Sequence, residues 1–336
     1  MKFLSKLKGG LRGQTVLLRV DFNVEGVHDA LRLCAVLPTI KFLLNRKAKI
    51  IILSHRGRPT RKTPSLSLKF CLKFLEKNVG RKITFLSTIP DKLPMGELFV
   101  LENLRFWPGE DDNDIVFARK LAELGNVYVN DAFGVSHRAN ASVTRLPKLL
   151  PAYAGLLLEK EIKTLSSVMR SPRQPLVLIF GGAKVGDKIP VVKKLLPKTS
   201  VVLLGSSVIG DRSLLPKSNK ILWPIDWLAE KDRAFDIGPL TVDVYGQIIK
   251  KAGTIIWNGP VGRFEDKKFA AGSMSIANLI ARSNANVIIG GGETTTVFQM
   301  SQRNHSIRKN IFLSTGGGAM LALLSGKKLP GIEALK

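Results

Sequence analysis

Two kinds of functional group recur in this chain, and each recurs in its own half. In the first half Arg32, His55, Arg58, Arg105, His137 and Arg138 supply the planar cationic forks and imidazoles that hold carboxylate and phosphate oxygens in fixed directions. Asp21 and Asn23 stand close by in sequence, suited to a substrate hydroxyl. In the second half glycine takes over: Gly181 and Gly182, then Gly290, Gly291 and Gly292, then Gly316, Gly317 and Gly318. Bare backbone N–H groups at helix N-termini bind phosphate. Lys184 and Lys188, four residues apart, are expected on one face of a helix opening at GGAKV and aimed at the same phosphates. Singly, an arginine reads as a surface ion-pair partner and a glycine pair as a tight turn. Recurrence turns these readings into a small-anion site in one half and a nucleotide-phosphate site in the other.

Position strengthens the case, because the polar motifs stand immediately after apolar runs: LLRV-DFN, IIIL-SHRGR, FVL-ENLR, YV-NDAFG, LIF-GGAKV, IIW-NGPVG, IIG-GGET and FL-STGGGA. Open parallel sheets bind ligands at those strand ends. GxxxxGK[ST] is missing and GxGxxG does not occur at these turns, so the phosphate site is neither a Walker loop nor an ordinary dinucleotide fingerprint. His and Cys residues do not cluster at metal-ligand spacing, and no nucleophile elbow is visible, so neither structural zinc nor a covalent intermediate is indicated.

The elements that must position these groups follow from periodicity. Short apolar runs alternate with amphipathic segments, the pattern of βαβ units and a parallel sheet covered on both faces. Strands are expected at residues 15–20, 49–53, 97–101 and 126–129, and again at 176–180, 201–204, 221–223, 254–257, 286–289 and 311–313. A helix is expected over 66–79, striped by Leu68, Cys71, Leu72 and Leu75 and stopped at Gly80; another starts at Pro38. A charged helix over 156–169 followed by SPRQP predicts a rigid connection between halves. The fold class expected is α/β, two doubly wound, Rossmann-like domains facing each other across a hinged cleft.

Composition sets outer limits. The chain has 336 residues, 45% hydrophobic and 23% charged, enough for two ordinary cores. Lysine and arginine number 52 against 26 acidic residues, so the net charge of +26 attracts any polyanion without choosing among metabolite, nucleotide and RNA. Many lysines are interleaved with core positions, the pattern of a solvated basic face. Cys34 and Cys71 both lie among apolar neighbours, where a free thiol behaves as a small hydrophobe, and a reducing cytoplasm fits. MKFLSKLKGG lacks a signal-peptide core, and no apolar run reaches the ~20 residues needed to span a bilayer.

RVDFN, SHRGRP, LENLRF, VNDAFG, HRANAS, GGAKVGDKI, WNGPVG and STGGGA, in that order, closely resemble the motifs of phosphoglycerate kinases over about residues 15–335. The resemblance implies a kinase whose first domain, residues 1–155, holds 3-phosphoglycerate through Asp21, Asn23, Arg32, His55, Arg58, Arg105 and Arg138, with Arg32 also on the transferring phosphoryl. It implies a connection at 156–174, a nucleotide domain at 175–320 and a segment at 321–336 returning to the first domain. Lys184 and Lys188 are implied on the nucleotide phosphates, Glu265 on the ribose, and Asn258 with Gly238 in the nucleotide pocket. Gly290, Gly291, Gly292, Glu293 and Thr294 are implied near the Mg²⁺-nucleotide, and Gly316, Gly317 and Gly318 on the moving phosphoryl. Expected partners are 3-phosphoglycerate or 1,3-bisphosphoglycerate and Mg-ADP or Mg-ATP, with no membrane, no specific nucleic acid and a monomeric state.

The pattern departs from the family in three places. GGGET stands where the family has GGGDT, so Glu293 replaces an aspartate. The chain is shorter than is typical between Gly205 and Phe235, where a segment normally walls the base pocket, so looser base selection is expected. Asn140 of HRANAS stands where a second histidine is common. Two other readings stay open at this point: a basic nucleic-acid-binding protein on a kinase-like scaffold, and an inactive paralogue.

Overall fold

The computed structural model describes residues 1–26, 30–182, 185–231, 233–302 and 306–336. The chain divides into two compact units, Met1–Lys163 with Lys328–Lys336, and Thr164–Lys327. In the first unit the strands are β1 (Thr15–Arg19), β2 (Lys49–Leu53), β3 (Thr84–Leu86), β4 (Leu98–Leu101), β5 (Val127–Asn130) and β6 (Ala152–Ala154). They pair in parallel in the order β3-β4-β2-β1-β5-β6. Both faces are covered, which is why β1 and β2 read as near-continuous apolar runs rather than as alternation. Helices α1 (Ala30–Ala35), α2 (Leu37–Asn45), α3 (Leu72–Val79), α4 (Pro108–Asp111), α5 (Ile115–Ala122) and α6 (Leu156–Arg170) follow in sequence.

The second unit repeats the plan with β7 (Leu176–Phe180), β8 (Val201–Leu204), β9 (Ile221–Leu222), β12 (Thr254–Asn258), β13 (Asn286–Gly290) and β14 (Ile311–Ser314), parallel in the order β14-β13-β12-β7-β8-β9. Its helices are α7 (Ile189–Leu195), α8 (Pro239–Lys251), α9 (Ala271–Arg282), α10 (Gly292–Ser301) and α11 (Gly317–Leu324). Trp257, Phe298 and Tyr245 are fully packed in its core. The winding direction reverses between β1 and β5 in the first unit and between β7 and β12 in the second, so each sheet has a crevice at its carboxyl edge.

The expected strands at 49–53, 176–180 and 201–204 coincide with β2, β7 and β8, and the others agree to within a residue at each end. Four strands were not expected. β3 and β6 span three residues each, too short to display a period. β10 (Trp227–Glu230) and β11 (Arg233–Ile237) form an antiparallel hairpin whose turn places Lys231 at φ 46°, a conformation that lysine does not advertise.

Two helix expectations need correction. The segment from 66 begins with tight turns at Pro64–Leu66 and Leu68–Cys71, and α3 starts only at Leu72, because Glu102 accepts the N–H of Leu68 and Ser67 caps that of Lys69. Leu68, Cys71 and Leu75 are nonetheless buried, and Gly80 ends the helix at φ 70°. After GGAKV, Val185–Asp187 is a 3₁₀ turn and α7 begins at Ile189, so Lys188 precedes the helix instead of riding on its face. Lys184 lies outside the described residues. Cys71 is buried as expected; Cys34 is exposed, on the solvent side of α1.

The units divide inside α6, whereas the sequence reading set residues 156–174 apart as a connection. The last residues, Lys328–Lys336, belong to the first unit. There α12 (Pro330–Glu333) docks through Gly331, whose N–H donates to the Ser136 carbonyl at 2.9 Å and whose carbonyl accepts from Asn130 Nδ2 at 3.3 Å. A Cβ at Gly331 would stand 2.6 Å from Val143 Cγ1, so the fit needs glycine. Among the described residues no helix is long and apolar enough to cross a membrane.

Candidate active site: an anion ring and a phosphate cradle

The ends of β1, β2 and β4 and the loop after β5 bring the first unit's cationic groups together. Arg32 on α1 donates from Nη1 to the Asn23 carbonyl at 2.7 Å and lies 3.4 Å from Asp21 Oδ1. Asn23 Oδ1 accepts the Gly57 N–H at 2.8 Å, and the Gly57 carbonyl accepts Arg105 Nη1 at 2.6 Å. Arg105 is also held by Asp111 at 3.1 Å. This chain of contacts fixes the strap that leaves β2, so His55, Gly57 and Arg105 share one frame. Arg58 continues the strap at the surface, exposed. Arg138 adds its charge to the field felt by both His55 and Arg105.

Beneath the ring lies a buried support that the sequence reading did not single out. Arg19, 1% exposed, donates from Nε to Ser142 Oγ at 2.7 Å and from Nη1 to the Val20 carbonyl, and its Nη2 is 3.3 Å from His55 Nδ1. Glu110, fully buried, balances it at 3.6 Å and accepts from Ser142 Oγ and N–H at 2.6 and 2.9 Å. Guanidinium is donor-only, so His55 Nδ1 must accept and the ring proton sits on Nε2. Burial, then the guanidinia of Arg19, Arg105, Arg32 and Arg138, hold His55 well below the ordinary imidazole range. His55 is therefore a neutral donor beside a cluster of cations. The available signal was Arg19 itself, a charge inside an otherwise apolar strand.

The second unit builds its site at the switch point between β7 and β12. The loops after these strands interlock: a Cβ on Gly181 would meet the Pro260 carbonyl oxygen at 1.9 Å, and one on Gly259, at φ 88°, would meet the Gly181 carbonyl oxygen at 2.0 Å. Thr294 Oγ1 accepts the Gly259 N–H at 2.7 Å, and Asn258 Nδ2 donates to the Gly290 carbonyl at 2.7 Å, tying in the end of β13. A Cβ on Gly317 would stand 2.6 Å from Gly291 Cα, so the N-termini of α10 and α11 converge. Each carries a partial positive charge and unsatisfied N–H groups. They open into a cavity of about 630 Å³.

Gly182, Lys188, Asn258, Glu265, Gly291 and Gly292 line this cavity, as do Glu293, Thr294, Gly317 and Gly318. Lys188 is buried, with Nζ 3.4 Å from the Gly182 carbonyl. Three implied residues stand back from it. Gly238 precedes α8 and packs on the Asp226 carboxylate, which caps that helix through the N–H groups of Leu240 and Thr241. Gly290 faces Met320, and Gly316 precedes α11 with its N–H on Ser314 Oγ at 3.4 Å. The lining adds Asp187, Ser206, Phe235 and Arg263, which the sequence reading did not place there. Phe235 and Arg263 touch through the guanidinium and the ring at 5.4 Å. Their approach depends on β11, one of the unforeseen strands.

A cluster of side-chain cations in one unit and two converging helix N-termini in the other are each suited to an anion, the chemistry a phosphotransferase needs. The chain matches the family described as "Phosphoglycerate kinase" over residues 6–211 and 206–327. It is 37% identical to "Phosphoglycerate kinase" of Herpetosiphon aurantiacus over 382 residues, and 38% identical to that of Chloroflexus aggregans over 388, with 96% of each chain covered in both cases. The solved structure of phosphoglycerate kinase from Pyrococcus horikoshii covers 100% of this chain and 98% of its own, with TM-score 0.85 and 29% identity. That from Coxiella burnetii gives 0.82 at 29%. The chain belongs to the phosphoglycerate kinase family. An alignment of 382 positions exceeds the 336 residues of this chain, so the relative has segments this chain lacks, and the two matched stretches meet at residues 206–211.

Proposed function

We propose that the chain transfers a phosphoryl group reversibly between 1,3-bisphosphoglycerate and ADP, giving 3-phosphoglycerate and ATP. The observation that carries the reading is the meeting of two helix N-termini over one cavity, which suits the phosphates of a nucleotide. In this reading Asp21 and Asn23 take the acid's hydroxyl, while Arg32, Arg58, Arg105 and Arg138 with His55 Nε2–H take its carboxylate and phosphate. Lys184 and Lys188 neutralise nucleotide phosphates, Glu265 holds the ribose, and the N–H groups of Gly317 and Gly318 face the moving group. Phosphoryl transfer asks little covalent help of a protein; alignment and neutralisation of spreading charge are enough.

The residues present fit Mg²⁺ carried in by the nucleotide. Among the described residues no trio of His, Cys, Asp or Glu forms an all-protein metal site, and besides Glu265, read here on the ribose, the cavity offers Asp187 and Glu293. One or two carboxylates plus substrate phosphates is the usual Mg²⁺ environment. When bound, the ion supplies charge neutralisation at the phosphates.

Transfer also requires the two bound anions to be brought within reach and water expelled, so closure about residues 156–175 is part of the proposal. Small-angle scattering with both substrates should record compaction. The activity itself is tested by a coupled assay on purified protein, with Arg32→Ala and Lys184→Ala each abolishing most turnover; turnover unchanged in both would end the reading. Cytoplasmic location and a monomeric state complete the proposal, the latter checked by sedimentation.

A further inference from the structure

The first unit contains a second cavity, of about 540 Å³, whose lining includes Arg56, the residue after His55. Its volume falls in the range of small-molecule sites. Phe70, Phe85 and Phe106 line it, each half-buried and so presenting ring surface to the space. Lys62 and Lys69 stand exposed at its mouth, with Lys69 Nζ 5.3 Å from the centre of the Phe85 ring.

The walls are already fixed by bonds within the protein. Glu102, the only acidic side chain among the described residues of the lining, accepts from Ser67 Oγ at 2.8 Å and from the N–H groups of Leu68 and Asn103 at 2.9 and 2.7 Å. Its charge is spent on these donors and does not call for a cation. Arg56 lies over the Phe70 ring at 4.2 Å and donates to the carbonyls of Val24 and Ser65, both at 2.9 Å, and of Glu25. What remains for a ligand is aromatic surface, two lysine ammonium groups and the small hydroxyls of Thr63 and Ser87. We infer that this cavity binds a planar aromatic carboxylate, ring against the phenylalanines and carboxylate toward Lys62 and Lys69.

The same geometry couples the cavity to the anion ring. Asn103 Nδ2 donates to the carbonyls of Arg56 and Leu66 at 2.7 and 3.0 Å, and its Oδ1 accepts the N–H groups of Arg56 and Arg105, both at 3.1 Å. Arg56 faces the cavity, and the next residue, Gly57, is held by Asn23 and Arg105. A ligand ring packed on Phe70 shares that ring with the Arg56 guanidinium, 4.2 Å from its centre, and so bears on the strap on which those anion-binding groups hang. Coupling between two such sites is reciprocal. This second half of the inference rests on the acid-binding role proposed above; the binding half does not.

The probe is 1-naphthoate, titrated by calorimetry into the full chain with and without saturating ADP, which fills the other cavity. One site of sub-millimolar affinity, indifferent to ADP, is expected. Lys62→Glu with Lys69→Glu should weaken it at least tenfold while leaving the fold, judged by circular dichroism, and the basal turnover unchanged. Neutral 1-naphthalenemethanol should bind at least tenfold more weakly. Displacement by ADP, an unchanged affinity in the charge-reversed variant, equal affinity for the neutral probe, or no binding at 1 mM would each overturn the site. At saturating naphthoate the KM for 3-phosphoglycerate should move at least threefold with KM for nucleotide constant; an unmoved KM overturns the coupling. A chain that binds naphthoate as described yet turns nothing over leaves the site standing and removes the kinase reading.

Discussion

The two units share one winding plan and furnish their carboxyl-edge loops in opposite ways. The first uses long cationic side chains locked by carboxylates and carbonyls, as Arg32 is by Asp21 and Asn23 and Arg105 by Asp111 and Gly57. The second removes side chains so that backbone can approach, as at Gly181, Gly259 and Gly317. A side-chain site is lost by deletion and a backbone site by addition. The comparison therefore predicts which kind of mutation each unit tolerates.

The sharpest break is Arg32→Ala, expected to lower kcat about a thousandfold in the coupled assay, the scale of losing a charge at a transition state. Nucleotide affinity should hold, since the residue belongs to the other unit.

A second contrast is between two buried carboxyls. Burial pushes Asp131 in the first unit up to about 7 and Asp236 in the second up to about 6. Asp131 accepts the Leu158 N–H of α6 at 3.0 Å, and its second oxygen has no partner. A raised carboxyl is protonated in the folded chain while already ionised in the unfolded one. Its stabilising contribution is thus complete below about pH 4 and lost as pH climbs to about 7. Asp131→Asn should gain on the parent through that window, by up to about 4 kcal/mol, and plateau above it, read from denaturant midpoints against pH. A flat difference would mean that Asp131 is ionised in the fold.

Gly317→Ala adds a methyl where Gly291 Cα is 2.6 Å away. ADP affinity by calorimetry should fall about a hundredfold, with 3-phosphoglycerate affinity unchanged. Smaller effects test the departures from the family. Because Phe235, Arg263 and Ser206, rather than a longer segment, stand at the cavity, kcat/KM should favour ATP over GTP by less than about tenfold. Glu293→Asp keeps the charge and shortens the arm, and nucleotide affinity should stay within about threefold or improve.

The same contrast explains what was legible beforehand. Parallel strands buried on both faces announce themselves as apolar runs, and the residue after each run falls at the carboxyl edge, so Asp21, His55, Asn258 and Gly291 could be placed at strand ends from order alone. Arg19 and Glu110 could not be paired, because nothing local to either says that a buried cation and a buried anion 91 positions apart will meet at 3.6 Å. The helix expected at GGAKV failed for a similar reason. Gly182 at φ 70° and the 3₁₀ turn at Val185–Asp187 answer to the neighbouring loop at Gly259, a tertiary demand that overrides local spacing. The hairpin β10–β11 was hidden by its turn, where Lys231 takes φ 46° without a glycine to mark it, and with it the placing of Phe235 at the second unit's cavity.

The docking of Gly331 between Ser136 and Asn130 bears on biosynthesis. A ribosome releases the second unit's last strand and helix before the nine residues that finish the first unit. The amino-terminal half must therefore wait, nearly complete, with Asn130 and Ser136 uncovered, while everything after it is made. Vectorial synthesis consequently offers this fold no simple first-made, first-finished order, and a nascent chain stalled before residue 328 would keep that seam open.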